Sequence, residues 1–114
     1  MIDEIRKCLT DILVSIESID NYLENNRLFE IYQTNKMLRR AIERELEIIG
    51  EATNIALRLE PTLSISNARR IVDTRNRIIH AYDAVNDTVV WSIVIKHLPI
   101  LKMEIVHLLE NSND

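Results

Sequence analysis

Gly50 is the only glycine in this chain of 114 residues, and Pro61 and Pro99 are its only prolines. Tight turns lean on Gly and Pro to reach positive φ or a fixed φ, and a sheet needs many such turns. The chain is rich instead in Leu, Ile, Glu and Arg, all comfortable in helices. The expectation is therefore all-α: an up-and-down bundle of four to five helices. The length suits one domain, residues 1–114, with a single core.

Apolar spacing divides the chain into elements. Ile5, Leu9, Ile12, Ile16, Ile19 and Leu23 alternate by three and four, which predicts an amphipathic helix over 3–24, with Asp3 as cap and Asn25-Asn26 as its end. Leu28, Phe29, Ile31 and Tyr32 suggest one further helical turn. Thr34 or Asn35 then caps a long helix to about Leu59, its inner face Leu38, Ile42, Leu46, Ile49, Ala52, Ala56 and Leu59, closed by Pro61. Gly50 lies inside that helix, where it costs about 1 kcal/mol against Ala. It marks a close crossing of another helix over Ile49-Gly50, unless it is neutral drift. Ser64 or Ser66 caps a helix to about Tyr82, and Asp83 to Asp87 is a polar break. Asn86 or Asp87 caps a last helix over about Thr88–Leu109, which Pro99 should kink. Its core face is Val90, Trp91, Val94, Ile95, Leu98, Leu101, Ile105, Leu108 and Leu109.

The segment Asp73–Asp83 stands out. On a helix turning about 100° per residue, Ala68, Ile71, Val72, Ile78, Ile79 and Tyr82 form one apolar stripe. Arg75 sits on its midline, with Tyr82 seven residues on and almost eclipsed by it; Asn76 and His80 form a row along its edge. A buried, unpaired guanidinium is costly, so a purely structural helix would carry Leu or Ile there. Arg75, Asn76, His80 and Tyr82 are thus expected to face a cleft or a subunit interface. The competing structural reading is a snorkelling arginine and a core tyrosine.

Charge and composition exclude several classes. The net charge of −4 argues against a general nucleic-acid coat. Arg69, Arg70, Arg75 and Arg77 cluster around the segment, and Arg39, Arg40 and Arg44 form a second group. They are either solvated surface paired with Glu43, Glu47 and Asp73, or a basic patch able to meet a phosphate backbone. Cys8 is the only cysteine, which rules out an intrachain disulfide and suits a reducing cytoplasm. The start lacks the pattern of a signal peptide, and no uncharged run approaches a membrane span. No Gly-rich loop can cradle a nucleotide, and His80, His97 and His107 show no metal-ligand spacing. His97 and His107 are expected to be structural or surface residues. Neither a metal nor a cofactor is expected.

Arg75, four intervening residues, His80, Ala81 and Tyr82 match the Arg-x4-His-x-Tyr signature of HepT-like proteins in the HEPN superfamily. Glu45-Leu46-Glu47-Ile48-Ile49-Gly50-Glu51-Ala52, following Arg44, resembles that family's second marker. Val90-Trp91 to Leu98-Pro99, with Leu101 and Lys102, resembles a third. Ala81 departs from the Gly of many relatives, which bears on helix-end geometry more than on chemistry. The resemblance, over about residues 3–110, implies a HEPN-type bundle acting as a homodimer whose paired motif helices line a composite cleft. It also implies a metal-independent endoribonuclease using Arg75 and His80, with RNA as substrate; the sequence leaves the RNA target open, tRNA being one candidate. HepT-like proteins further act as toxins whose partner, a separate MNT-type nucleotidyltransferase, adds AMP to the motif tyrosine, here Tyr82.

Residue chemistry is compatible with that activity. Attack of a ribose 2′-hydroxyl on its own phosphate needs a proton carrier, for which histidine is suited near neutral pH. It also needs a cation for the developing charge, and arginine grips phosphate oxygens and stays charged. Asn76 can position either partner, and Arg69, Arg70 and Arg77 are candidate RNA contacts. The competing expectation is a non-catalytic interaction module that binds the transferase or a nucleotide.

Overall fold

The computed structural model describes residues 1–80 and 86–111, Ile79 and His80 by their backbone alone. Among these residues the chain is all-helical and forms the expected up-and-down bundle, with extents of 46 × 30 × 19 Å. Helix α1 (Asp3–Leu23) buries all six residues of its predicted stripe, together with Cys8 and Ser15. Its cap differs from expectation. Ile2 occupies the N-cap without a side-chain bond, and Asp3 and Glu4 lie in the first turn, where their charge complements the helix dipole.

The short helix α2 (Phe29–Thr34) carries Tyr32 into the core, 5.3 Å between ring centroids from Trp91. Asn35 then caps α3 (Lys36–Leu59) by accepting from the Leu38 N–H at 3.0 Å. Ile42, Leu46, Ile49, Ala52 and Ala56 are buried as predicted, but Leu59 is 40% exposed because the helix ends there, ahead of Pro61. Helices α1 and α3 run antiparallel. The Tyr22 hydroxyl, near the end of α1, donates to Glu45 early in α3 at 2.7 Å, while Cys8 and Asp11 lie across a groove from Ala52 and Ile55.

Helix α4 (Ala68–His80) packs chiefly on α3. Neither Ser64 nor Ser66 caps it. Asn67, at φ 56°, offers its carbonyl to the Ile71 N–H at 3.0 Å, a left-handed conformation that Asn tolerates. Ser66 instead donates its N–H, at 3.0 Å, and its hydroxyl to the Glu104 carboxylate, tying the entrance of α4 to the last helix. The predicted continuation to Tyr82, and the polar break up to Val85, lie outside the described residues.

Asn86 caps α5 (Asp87–Ser92) through the Val89 N–H at 3.1 Å. A π-helical turn (Ile93–His97) leads directly into α6 (Leu98–Glu110). The disturbance expected of Pro99 is taken up before it: the Leu98 N–H reaches back five residues to the Ile93 carbonyl. Proline cannot donate and crowds the preceding turn, and the widened turn absorbs the resulting shift of register. It also buries Ile93, which a uniform helical period leaves off the core face. No helix among the described residues is long and apolar enough to cross a membrane.

Candidate active site

Arg75 sits where α4 crosses α3, and Gly50 is the reason it fits. A Cβ built on Gly50 would lie 2.2 Å from the Arg75 Cβ, 2.8 Å from its Cγ and 3.2 Å from the Ile71 carbonyl oxygen. No side chain can occupy that space, so the aliphatic stem of Arg75 lies directly on the α3 backbone.

Among the described residues the guanidinium is held by two neighbours. Nη2 reaches the Glu51 carboxylate at 2.5 Å, and Nη1 donates to the Asn76 Oδ1 at 2.9 Å. Nε is buried without a hydrogen-bond partner among the described residues. The Arg75 side chain is 26% exposed, neither core nor free surface. It borders an open groove of about 350 Å³ between α1, α3 and α4, lined also by Cys8, Asp11, Arg44, Glu47 and Glu51. Burial pushes the Cys8 thiol above its ordinary range, so it is a poor nucleophile there.

The structure therefore sets Asn76 against the Arg75 guanidinium, and Arg75 at the edge of a groove. The backbone of His80 is the last residue of the same helix, one turn beyond Asn76. Tyr82, the candidate modification site, lies outside the described residues. Arg69, Arg70 and Arg77 are exposed on α4, and at about 100° per residue they point roughly 120–160° away from Arg75. Arg69 approaches Asp73 at 3.7 Å, Arg40 pairs with Glu43 at 3.2 Å, and Arg44 pairs with Glu47 at 3.0 Å. Much of the basic composition is thus met by local carboxylates. His97 lies half-buried in the π-helical turn, and His107 is exposed on α6 beside Asn111.

Glu51 joins the site without being among the candidates that the sequence offers. Its signal was its place beside Gly50: a carboxylate next to the crossing point lies within reach of an arginine on the crossing helix.

The model of the family described as ribonuclease HepT-like matches residues 12–108 of the chain. The chain belongs to this family. A Thermococcus cleftensis protein named "Probable ribonuclease HepT" is 36% identical over 98 residues, covering 82% of this chain and 86% of its own. A "Putative RNase" of Caldanaerobacter subterraneus subsp. tengcongensis is 32% identical over 83 residues, 72% of this chain and 74% of its own. A Methanocaldococcus jannaschii protein named "Gamma-glutamylcyclotransferase and putative RNase" is 31% identical over 108 residues; these cover 94% of this chain but only 48% of that longer protein. No solved structure matches.

Proposed function

We propose that this HepT-like chain is a metal-independent endoribonuclease toxin in which Arg75 and His80 act on the scissile phosphate. The observation that carries the reading is Arg75 itself: half-buried, its aliphatic stem seated on Gly50 and its guanidinium held by Glu51 and Asn76 at the edge of a groove. Guanidinium carries five N–H donors, and the two contacts leave further donors for phosphate oxygens. In the reaction, His80 accepts the 2′-hydroxyl proton as the bond from O2′ to phosphorus forms. The bond from phosphorus to the 5′-oxygen breaks, and that oxygen takes a proton from water, whose hydroxide the His80 imidazolium then neutralises. Arg75 stabilises the charge that builds on the non-bridging oxygens.

Two further features complete the reading. Among the described residues α4 packs chiefly on α3, and a homodimer would set two motif helices around one cleft. A separate MNT-type nucleotidyltransferase would silence the enzyme by placing AMP on Tyr82, a bulky anion competing for Arg75. The second reading, a non-catalytic module, draws on the fact that the Arg75 charge is already met by Glu51.

Cleavage of single-stranded RNA in EDTA separates the two. Under the nuclease reading wild type cuts, Arg75→Ala loses about 10²–10³-fold and His80→Ala about 10²–10⁴-fold, both with unchanged helical circular dichroism. Under the module reading His80→Ala leaves binding intact and there is no cleavage to lose. Strict dependence on magnesium or manganese would refute the metal-independent mechanism.

A further inference from the structure

We infer that Glu51 is a positioning residue for Arg75, orienting its guanidinium toward the groove; the inference rests on the nuclease reading and adds a residue to it. Three observations converge on Glu51. Its carboxylate meets Arg75 Nη2 at 2.5 Å, a charge-assisted contact that fixes one end of the guanidinium. It sits on α3, whereas the other partner, Asn76, is the next residue of α4 and moves with Arg75. Among the described residues Glu51 alone therefore references the guanidinium to a second helix. And Gly50, beside it, admits the stem of Arg75 against the same backbone. Seat and anchor are consecutive residues, so the whole side chain is registered to one turn of α3.

The pair is poorly explained as a stabilising ion pair. Glu51 is 43% exposed, and exposed pairs add little to stability because water screens them and two long side chains lose freedom. The neighbouring Arg44–Glu47 pair has the ordinary form of such a contact, three residues apart on one helix. The Arg75–Glu51 contact instead crosses between helices and lies on the wall of the groove. Without it the guanidinium keeps its stem in place but can rotate away from an incoming phosphate. A catalytic group displaced by about 1 Å can lose around 10²-fold in rate, although substrate binding is little changed.

The test uses the full chain and a single-stranded oligoribonucleotide, read by steady-state cleavage and by ¹⁵N NMR of the Arg75 guanidinium. Glu51→Ala should lower kcat roughly 100-fold with KM nearly unchanged. Glu51→Gln, which keeps an oxygen acceptor at the same reach, should recover a large part of the loss. In an Arg75→Ala background Glu51→Ala should cost nothing more, because its effect runs through Arg75. The Nη signals of Arg75, resolved in wild type by restricted rotation, should merge in Glu51→Ala. Wild-type kcat in Glu51→Ala, or an equal loss in the Arg75→Ala background, would overturn the inference. If wild type cleaves nothing, the nuclease reading fails by itself. The NMR arm then still decides: merged signals support positioning, and unchanged signals overturn it.

Discussion

Replacing Gly50 by alanine tests the geometry on which the site depends. The new methyl would sit 2.2 Å from the Arg75 Cβ, while non-bonded carbons settle at about 3.5–4.0 Å. The obstacle is a Cβ, not the tip of a flexible chain, so no rotamer relieves it and α4 must lift by about 1.5 Å. Overpacking of this severity falls near the upper end of the usual range, about 3 kcal/mol. Alanine returns about 1 kcal/mol of helix propensity, leaving a net loss of about 2 kcal/mol. For a domain of this size that lowers Tm by about 8 °C. The same displacement stretches the Arg75–Glu51 contact, so cleavage should fall beyond what stability explains. Arg75→Ala should not rescue Gly50→Ala, since it keeps the offending Cβ, whereas Arg75→Gly should show favourable coupling. Thermal denaturation by circular dichroism of wild type, the three single variants and the two double variants reads the coupling. A Gly50→Ala protein more stable than wild type, as propensity alone predicts, would refute the close-crossing account.

Tyr32 is fully buried and its hydroxyl has no hydrogen-bond partner among the described residues, so Tyr32→Phe should raise stability by about 1 kcal/mol in chemical denaturation. Burial also pushes the Tyr32 pKa well up, so its contribution holds below the unfolded-state pKa of about 10 and is lost as pH rises beyond it; Tyr32→Phe should remove that part of the alkaline destabilisation. Glu104→Ala leaves the Ser66 N–H and hydroxyl without their carboxylate and should cost about 1–2 kcal/mol, loosening the entrance of α4 as read by hydrogen exchange. Light scattering at micromolar concentration should report about twice the 13.3 kDa chain mass; a clean monomer would remove the composite cleft. Incubation with the cognate transferase and ATP should add AMP-sized mass to Tyr82, located by peptide mass spectrometry. Tyr82→Phe should escape it and stay toxic, and modification of Tyr22 or Tyr32 instead would defeat the cleft-blocking account.

The helical stripes of α1 and α3 could be read in advance because burial there follows one period without interruption. Gly50 was readable too, since a lone glycine inside a long helix has few physical uses besides close approach. The last helix was less so: the π-helical turn ahead of Pro99 breaks the period and brings Ile93 inward, a choice between kinking and widening that sequence does not specify. Local caps escape the sequence where a distant residue competes for the group, as Glu104 does for Ser66. Within the site, Arg75 and Asn76 were visible as polar residues on an apolar face. Glu51 was not, because its contact with Arg75 depends on how two helices cross, which no single-helix pattern contains.

The most direct measurement of the central claim is the chemistry of the RNA ends left by wild-type protein in EDTA. If the guanidinium held by Glu51 and Asn76 serves attack by the substrate's own 2′-hydroxyl, mass spectrometry should find 2′,3′-cyclic phosphate and 5′-hydroxyl ends, absent with Arg75→Ala and His80→Ala. Fragments ending in 3′-hydroxyl and 5′-phosphate would show that water attacks instead, and would contradict the mechanism.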